Sequence, residues 1–293
     1  MGYLTGPVNV LTDYTVEYNG LLMGGTSAYE IPPAWNFLDM AALKTMDQAR
    51  TWADGSWSGP DFSDVLLPDM PLEVTASSTV TFNAAVAALR SIFLPQLSAQ
   101  PLWVKLPGMA AMGIAAKVNK RVIPIEMSWI GGFSTAAVQW RCPDPVWQSV
   151  PRTVSLAANG ATVSGLSYPL FVPASGTYVS PGALDFGSTA VATSSATLTN
   201  SGNSPAWPVV VVTGPAPSFT IILDGNTVAY GQAIPAGQTV TIDYKSGLAT
   251  LTGNLDRTYA LTARNFTAVT VTSSVLYSAS SGTATVTVAD MSR

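Results

Sequence analysis

The chain has 293 residues, no histidine, one cysteine and 13 basic against 17 acidic side chains, for a formal charge of −4. Charged residues are 10% of the sequence and apolar residues 47%, against about 25% charged in ordinary soluble domains, so the polar surface has to be built mostly from Ser, Thr, Asn and Gln. The missing imidazole excludes Ser-His-Asp and Cys-His nucleophile machinery and most zinc and non-haem iron ligand sets, the acidic balance excludes a phosphate-tracking surface, and no apolar run reaches the roughly 18 residues of a membrane helix.

The opening residues, Met1-Gly-Tyr-Leu-Thr-Gly-Pro7, lack the charged and apolar regions of a secretory signal, which predicts that the chain starts in a cytoplasm. From Val8 to Met23 the sequence alternates in strand fashion, and Asn19-Gly20 suits the positive φ angles of a tight hairpin turn. Trp35 to Thr51 stays open. Phe37, Leu38, Ala41, Ala42 and Met46 fit helical spacing, while Pro32-Pro33 and the surrounding turn residues suit extended chain. Asp54 to Asp61 reads as a turn-rich loop, and Leu72 to Thr75 resumes a strand. Phe82, Ala85, Val86, Leu89, Ile92 and Phe93 predict a helix over Phe82 to Leu94, with Thr81 as N-cap and Pro95 ending it. Strands follow at Leu102–Leu106, Ile114–Met127 and Ala136–Arg141.

A break falls in Cys142 to Pro151, where three prolines interrupt the strand-like text. Seven of the eight tryptophans precede Val150 and only Trp207 follows; residues 1–150 carry 8 basic and 12 acidic groups, residues 151–293 carry 5 of each. A length near twice the roughly 150 residues of a typical domain agrees with two modules, 1–150 and 151–293. The first is a mostly β domain with one amphipathic helix. In the second, short Thr- and Val-rich runs at Val209–Val212, Thr239–Asp243 and Thr283–Val288 alternate in strand fashion. Turn signals separate them at Asn159-Gly160, Asn200–Pro205, Asp224–Asn226, Ala236-Gly237, Thr252–Asn254 and Ser281-Gly282, the pattern of an antiparallel β-sandwich with no convincing helix.

Little in the sequence looks like chemistry. Asp54, Asp61 and Asp64, beside Trp52 and Trp57, form the one cluster that could imitate a glycosidase cleft or ligate calcium. Asp before Gly is ordinary turn chemistry, however, and no Asp-x-Asp-x-Asp-Gly loop is present. The reading is therefore no catalytic, cofactor-binding or metal-binding residue, and no cofactor. Lys117, Lys120 and Arg121 make the only dense basic stretch, too short to follow a nucleic-acid backbone, and read as a solvated strand face or a subunit contact. Cys142 reads as a buried free thiol. Trp207, between Pro205 and Pro208, reads as a core anchor at the start of a strand, with a sugar-stacking platform as the alternative. Trp57, Trp103, Trp129 and Trp140 read as core, with any surplus at subunit interfaces, where Trp is enriched.

One ordered series of segments runs from Asp47 to Asp61 (DQARTWADGSWSGPD), through the helix ending Ala88-Leu-Arg90, Pro101 to Gly108 (PLWVKLPG), Asn119 to Pro124 (NKRVIP) and Val138 to Trp147 (VQWRCPDPVW). In the second module it continues at Asn200 to Pro208, Val211 to Gly214, Gly237 to Asp243 and the terminal β segment. This series resembles the distal tail (Dit-like) proteins of long-tailed, siphovirus-type phages that infect Gram-positive and especially actinobacterial hosts. The resemblance implies a mainly β chain: an N-terminal split-barrel-like domain that closes into a ring, usually a hexamer, and a C-terminal galectin-like sandwich outside it. It further implies a non-enzymatic baseplate component of the virion tail tip that joins the tail tube to the hub or tail-associated protein and docks receptor-binding or side-fibre proteins. Specific nucleic-acid binding and membrane contact are not implied. For Trp35 to Thr51 the resemblance favours strand and extended chain.

Two departures narrow this. Sugar-binding galectins use a histidine, which is absent here, and no long insertion is evident between the C-terminal strands. Two other readings remain: a carbohydrate-binding module of a tail fibre or adhesin, using Trp207 or the Trp52/Trp57 loop, and a glycosidase on Asp54, Asp61 and Asp64.

Overall fold

The computed structural model describes residues 3–33, 35–76, 78–158 and 194–293, and within them the chain divides into two compact units. One comprises residues 3–151, 201–204 and 289–293; the other, among the described residues, 152–158, 194–200 and 205–288. The predicted turn at Asn159-Gly160 lies outside the described residues.

The first unit opens with a hairpin of β1 (Thr15–Tyr18) and β2 (Leu21–Met23), turned at Asn19 (φ 48°) and Gly20 (φ 82°), the left-handed pair that Asn-Gly supplies at low cost. After β3 (Tyr29–Glu30) come four two-residue strands, β4 (Leu43–Lys44), β5 (Gln48–Ala49), β6 (Ser56–Trp57) and β7 (Phe62–Ser63). The unit continues with β8 (Asp69–Thr75), α1 (Thr79–Ile92), β9 (Gln100–Lys105), β10 (Met112–Val122), β11 (Phe133–Arg141) and β12 (Trp147–Ser149). The main sheet runs β2-β1-β9-β10-β11-β8-β3 in antiparallel pairs. The Gly24 N–H donates to the Tyr29 carbonyl (2.7 Å), so the sheet nearly closes on itself as a barrel.

Helix α1 packs Phe82, Val86 and Leu89 into the same core as Leu72, Val74, Leu102, Val104, Ile114, Ala136 and Val138. Tyr18 stacks on Phe93 (5.5 Å, 12°), and Trp140 meets Tyr18, Phe93 and Phe37 at 5.8–5.9 Å.

Three expectations are corrected. The helix starts at Thr79, with Ser78 as its cap and Thr81 as the third helical residue; each side chain bonds the other's backbone N–H (Thr81 N to Ser78 Oγ 3.3 Å, Ser78 N to Thr81 Oγ1 3.2 Å). Apolar spacing could not show this turn, because Val80 in it is 79% exposed. Strand β10 stops at Val122, and the predicted strand end at Met127 begins a 3-10 turn, Met127–Gly131. The first strand begins at Thr15, since Val8 and Asn9 direct their N–H groups to the Glu17 carboxylate and not to a neighbouring strand. Between Trp35 and Thr51 the structure has no helix: Phe37 and Ala41 enter the core while Leu38, Met40 and Met46 face solvent.

The outer face of the barrel sheet carries a second buried layer. In register across the strands, Glu17 lies opposite Trp103, Trp103 opposite Gly113, and Gly113 opposite Gln148. Trp103 is fully buried and donates its indole N–H to the Thr5 carbonyl (3.0 Å). Glu17, 2% exposed, accepts from Val8 N (2.8 Å), Asn9 N (2.7 Å) and Asn9 Nδ2 (2.9 Å). Residues 5–9 thus strap over this row, held by a desolvated carboxylate whose charge is met by N–H donors.

The second unit is a sandwich. Its strands are β13 (Arg152–Ala157), β14 (Ser194–Thr199), β15 (Val209–Thr213), β16 (Phe219–Leu223), β17 (Asn226–Tyr230), β18 (Thr239–Asp243), β19 (Leu248–Leu251), β20 (Leu255–Asp256), β21 (Leu261–Arg264), β22 (Thr272–Ala279) and β23 (Thr283–Val288). One antiparallel sheet is ordered β13-β23-β15-β18-β19-β20, the other β14-β22-β16-β17-β21. Strict alternation buries Val210, Val212, Val240, Ile242, Ala284 and Val286 from the first, and Phe219, Ile221, Val228, Tyr230, Val275 and Tyr277 from the second. Its described residues contain one 3-10 turn, Thr258–Ala260, and no α-helix.

After β23 the chain returns to the first unit, where β24 (Met291–Ser292) pairs with β12. Ser204 N donates to the Met291 carbonyl (2.9 Å), and a Cβ on Gly202 would sit 1.8 Å from that oxygen, so only glycine lets residues 201–204 lie against β24.

Candidate functional site

The four short strands between β3 and β8 form nested hairpins. Leu43 and Lys44 pair with Ser63 and Phe62, and Gln48 and Ala49 pair with Trp57 and Ser56. The two legs touch closely at Gly59, where a Cβ would lie 2.3 Å from the Met46 carbonyl and where the N–H donates to Asp47 Oδ1 (2.8 Å). At the base, Lys44 pairs with Asp64 (2.8 Å), Asp64 N donates to the Ala42 carbonyl (2.6 Å), and Leu66 and Cys142 exchange backbone hydrogen bonds. The arm is thereby fixed to the barrel through β11.

Every residue from Ala42 to Phe62 except Gly59 is exposed. The arm has no core of its own. Leu43 (48%), Met46 (59%), Trp52 (98%), Trp57 (65%) and Phe62 (54%) all face solvent, and Met40 (75%) adjoins them. So many large apolar side chains exposed together on one short segment make it the candidate interaction surface. Arg50 lies over the Trp57 ring at 4.7 Å, which gives that indole a cationic cover.

The sequence-predicted candidates fall as follows. Asp54 and Asp61 are exposed on the arm. Asp64 is held below the ordinary carboxylate range by its hydrogen bond from Lys44 and by Val65 N–H, which favours the ionised form over the proton donor that glycoside cleavage requires. Among the described residues no three His, Cys, Asp or Glu side chains converge on one point. Trp103 and Trp140 are fully buried, Trp129 packs edge-on against Phe82 (5.1 Å, 89°), and Trp147 is 7% exposed. Trp57 is a correction, since it lies outside any core. Trp207 is half-buried between the buried Ala206 and Pro208. Cys142 is buried and unbridged, with burial pushing its thiol up to about 12. Arg121 donates to the carbonyls of Arg90 (2.7 Å) and Phe93 (3.2 Å), closing the C-terminal end of α1, and Lys117 donates to the Leu97 carbonyl (2.6 Å).

Leu43, Met46 and Phe62 are site residues that the sequence reading passed over. The available signal was negative: beyond Met46 the large apolar residues are scattered among turn residues with no helical or strand periodicity to bury them locally.

No protein-family model and no curated protein sequence matches the chain. Among solved structures it is similar to the Dit protein (gp 19.1) of phage SPP1, described as a paradigm of the hub adsorption apparatus in phages infecting Gram-positive bacteria. The TM-score is 0.60 at 10% identity, covering 94% of this chain and 98% of that one. Chains of the phage P2 baseplate in its activated conformation also match. The form with calcium gives a TM-score of 0.51 at 11% identity over 90% and 91% of the two chains. The form with strontium gives 0.52 at 11% over 93% and 96%. The chain therefore has the mainly β fold of these hub and baseplate proteins along almost its whole length.

Proposed function

We propose that this chain is a non-catalytic structural subunit of a phage tail tip, assembled from copies of itself into a closed ring, a homo-hexamer in the reading that the Dit resemblance implies. The observation that carries the proposal is the arm over residues 42–62, an apolar projection without a local core, which is what a subunit needs to grip a neighbour. The fold likeness to SPP1 Dit supports it across both units. In this reading the ring joins the tail tube to the hub or tail-associated protein, and the sandwich unit offers a dock for receptor-binding or side-fibre proteins.

The test is direct. Electron microscopy of tails labelled with an antibody to this chain should show label at the tip, and mass photometry of the full chain should show one closed species. Label along the shaft would make it a tube protein instead.

One observation favours a second reading, a carbohydrate-binding module: Trp52 stands almost wholly in solvent. A glycan-array signal that disappears in Trp52→Ser would support that reading, and retention of the oligomer with no glycan signal would support the ring.

A further inference from the structure

The strand register places like charges opposite one another at two points of the barrel sheet. Lys117 on β10 faces Arg141 on β11, with Lys120 opposite the neighbouring Gln139. Toward the other end of β11, at Thr135, the neighbouring strand β8 carries Glu73, which faces Glu30 on the edge strand β3. Along β11, Ser134, Ala136, Val138 and Trp140 are buried while Thr135, Ala137, Gln139 and Arg141 are not. Glu73 is opposite Thr135, so both like-charge pairs stand on one outer face. From Thr135 to Arg141 the strand advances about 20 Å at roughly 3.4 Å per residue. Between the two ends the face is neutral at Pro71, Val122 and Ala137, and Asp69 on β8, opposite Gln139 and hydrogen-bonded by Asn36 Nδ2 (2.5 Å), is one acidic group against Lys117, Lys120 and Arg141 at the basic end.

Opposed like charges weaken a strand pair unless something answers them. Among the described residues, the carboxylates of Glu30 and Glu73 have no hydrogen-bond or ion-pair partner. At the basic end, Lys117 bonds only a neutral carbonyl, and the carboxylate within reach of Arg141's field, Asp64, is already paired with Lys44 at 2.8 Å. Each end therefore keeps a surplus of one sign.

We infer that the two ends are the two halves of one contact between copies of this chain, in which Lys117 and Arg141 of one subunit meet Glu30 and Glu73 of the next. The inference rests on the ring reading above and specifies how neighbours recognise each other. Because the two patches differ, copies can join head to tail and close into a ring, whereas the same patches meeting twice about a two-fold would stop at a dimer, which the size of the assembly distinguishes. Opposite charges at such a contact also set its register and exclude like-to-like pairing.

The experiment uses the full chain, sized by mass photometry. Lys117→Glu/Arg141→Glu and Glu30→Lys/Glu73→Lys should each lose the wild-type oligomer, with association weakened at least tenfold. An equimolar mixture of the two, and the chain carrying all four reversals, should regain it, and that recovery also shows that the variants fold. Raising salt to about 0.5 M should weaken wild-type association, since exposed charges are screened within a few ångströms there. If the wild type assembles beyond a dimer and both double variants assemble equally well, this contact is wrong and the ring reading stands. Recovery that stops at a dimer, or no recovery in either the mixture or the fourfold variant, also overturns the head-to-tail contact. A wild type that stays monomeric at every concentration overturns both.

Discussion

Gly113 lies directly opposite Trp103 on the adjacent strand, and a Cβ placed on Gly113 would come within 2.7 Å of the indole ring. The ring has nowhere to go, because it is fully buried and its N–H is held by the Thr5 carbonyl. Gly113→Ala should therefore cost about 1–3 kcal/mol, the range for forcing an extra group into a packed site. Urea unfolding monitored by tryptophan fluorescence measures it, and an unchanged midpoint would mean that the strap yields.

The Glu17 carboxylate is the other anchor of that strap. Glu17→Ala leaves Val8 N–H, Asn9 N–H and the Asn9 side chain without their acceptor, and should cost about 2 kcal/mol, the scale for hydrogen bonds to a buried charge. Hydrogen exchange at Val8 and Asn9 should accelerate far more than exchange in the sandwich unit, because only the strap is released.

At the helix start, Ser78→Ala removes one half of the reciprocal cap with Thr81. The expected loss is about 1 kcal/mol, read as a lower unfolding midpoint with faster amide exchange confined to the first turn of α1. Thr81→Ala should cost less, since Thr81 N–H keeps its bond to Ser78 Oγ.

Alkaline pH should destabilise the fold. Burial raises the Cys142 thiol from 9.0 to about 12, and Tyr18 and Tyr277 from 10.0 to about 12. In the unfolded chain these groups ionise near their ordinary values, so above about pH 9 the folded state binds more protons than the unfolded one. Stability is thus fully present below pH 9 and falls as pH rises toward 12. Thermal unfolding followed from pH 7 to 11 should show a level midpoint and then a decline, and Cys142→Ala should soften its onset.

The arm should matter to assembly and not to the fold of the single chain. Met46→Asp combined with Phe62→Asp is expected to leave the unfolding midpoint unchanged, because neither side chain is buried, while abolishing the oligomer seen by mass photometry. Trp52 should be quenched freely by iodide in the monomer and protected in the assembled ring. Midpoints that drop with the variants would show the arm to be part of the fold.

Much of the fold was readable from local rules. The Asn19-Gly20 turn, the amphipathic face of α1 and the strands Thr239–Asp243 and Thr283–Val288 follow from backbone preference and side-chain alternation, which act over a few residues. Buried Cys142 and the fully buried Trp140 followed from residue character alone.

Other features depended on contacts between distant segments. Whether Trp35 to Thr51 became helix or arm was settled by Phe37 finding Trp140 and Trp147, residues a hundred positions away, while the rest of the segment found nothing to cover it. Glu17 reads as an ordinary polar strand position until Val8 and Asn9 fold back over it. The opposed charges at Lys117/Arg141 and Glu30/Glu73 exist only through strand register, which no periodicity fixes. The sequence by itself determined that this protein is mainly β, sparsely charged and without imidazole chemistry, because those properties belong to single residues and short runs. Only the tertiary structure decided which apolar and charged side chains were left without an internal partner, because that depends on how chain segments far apart in sequence meet.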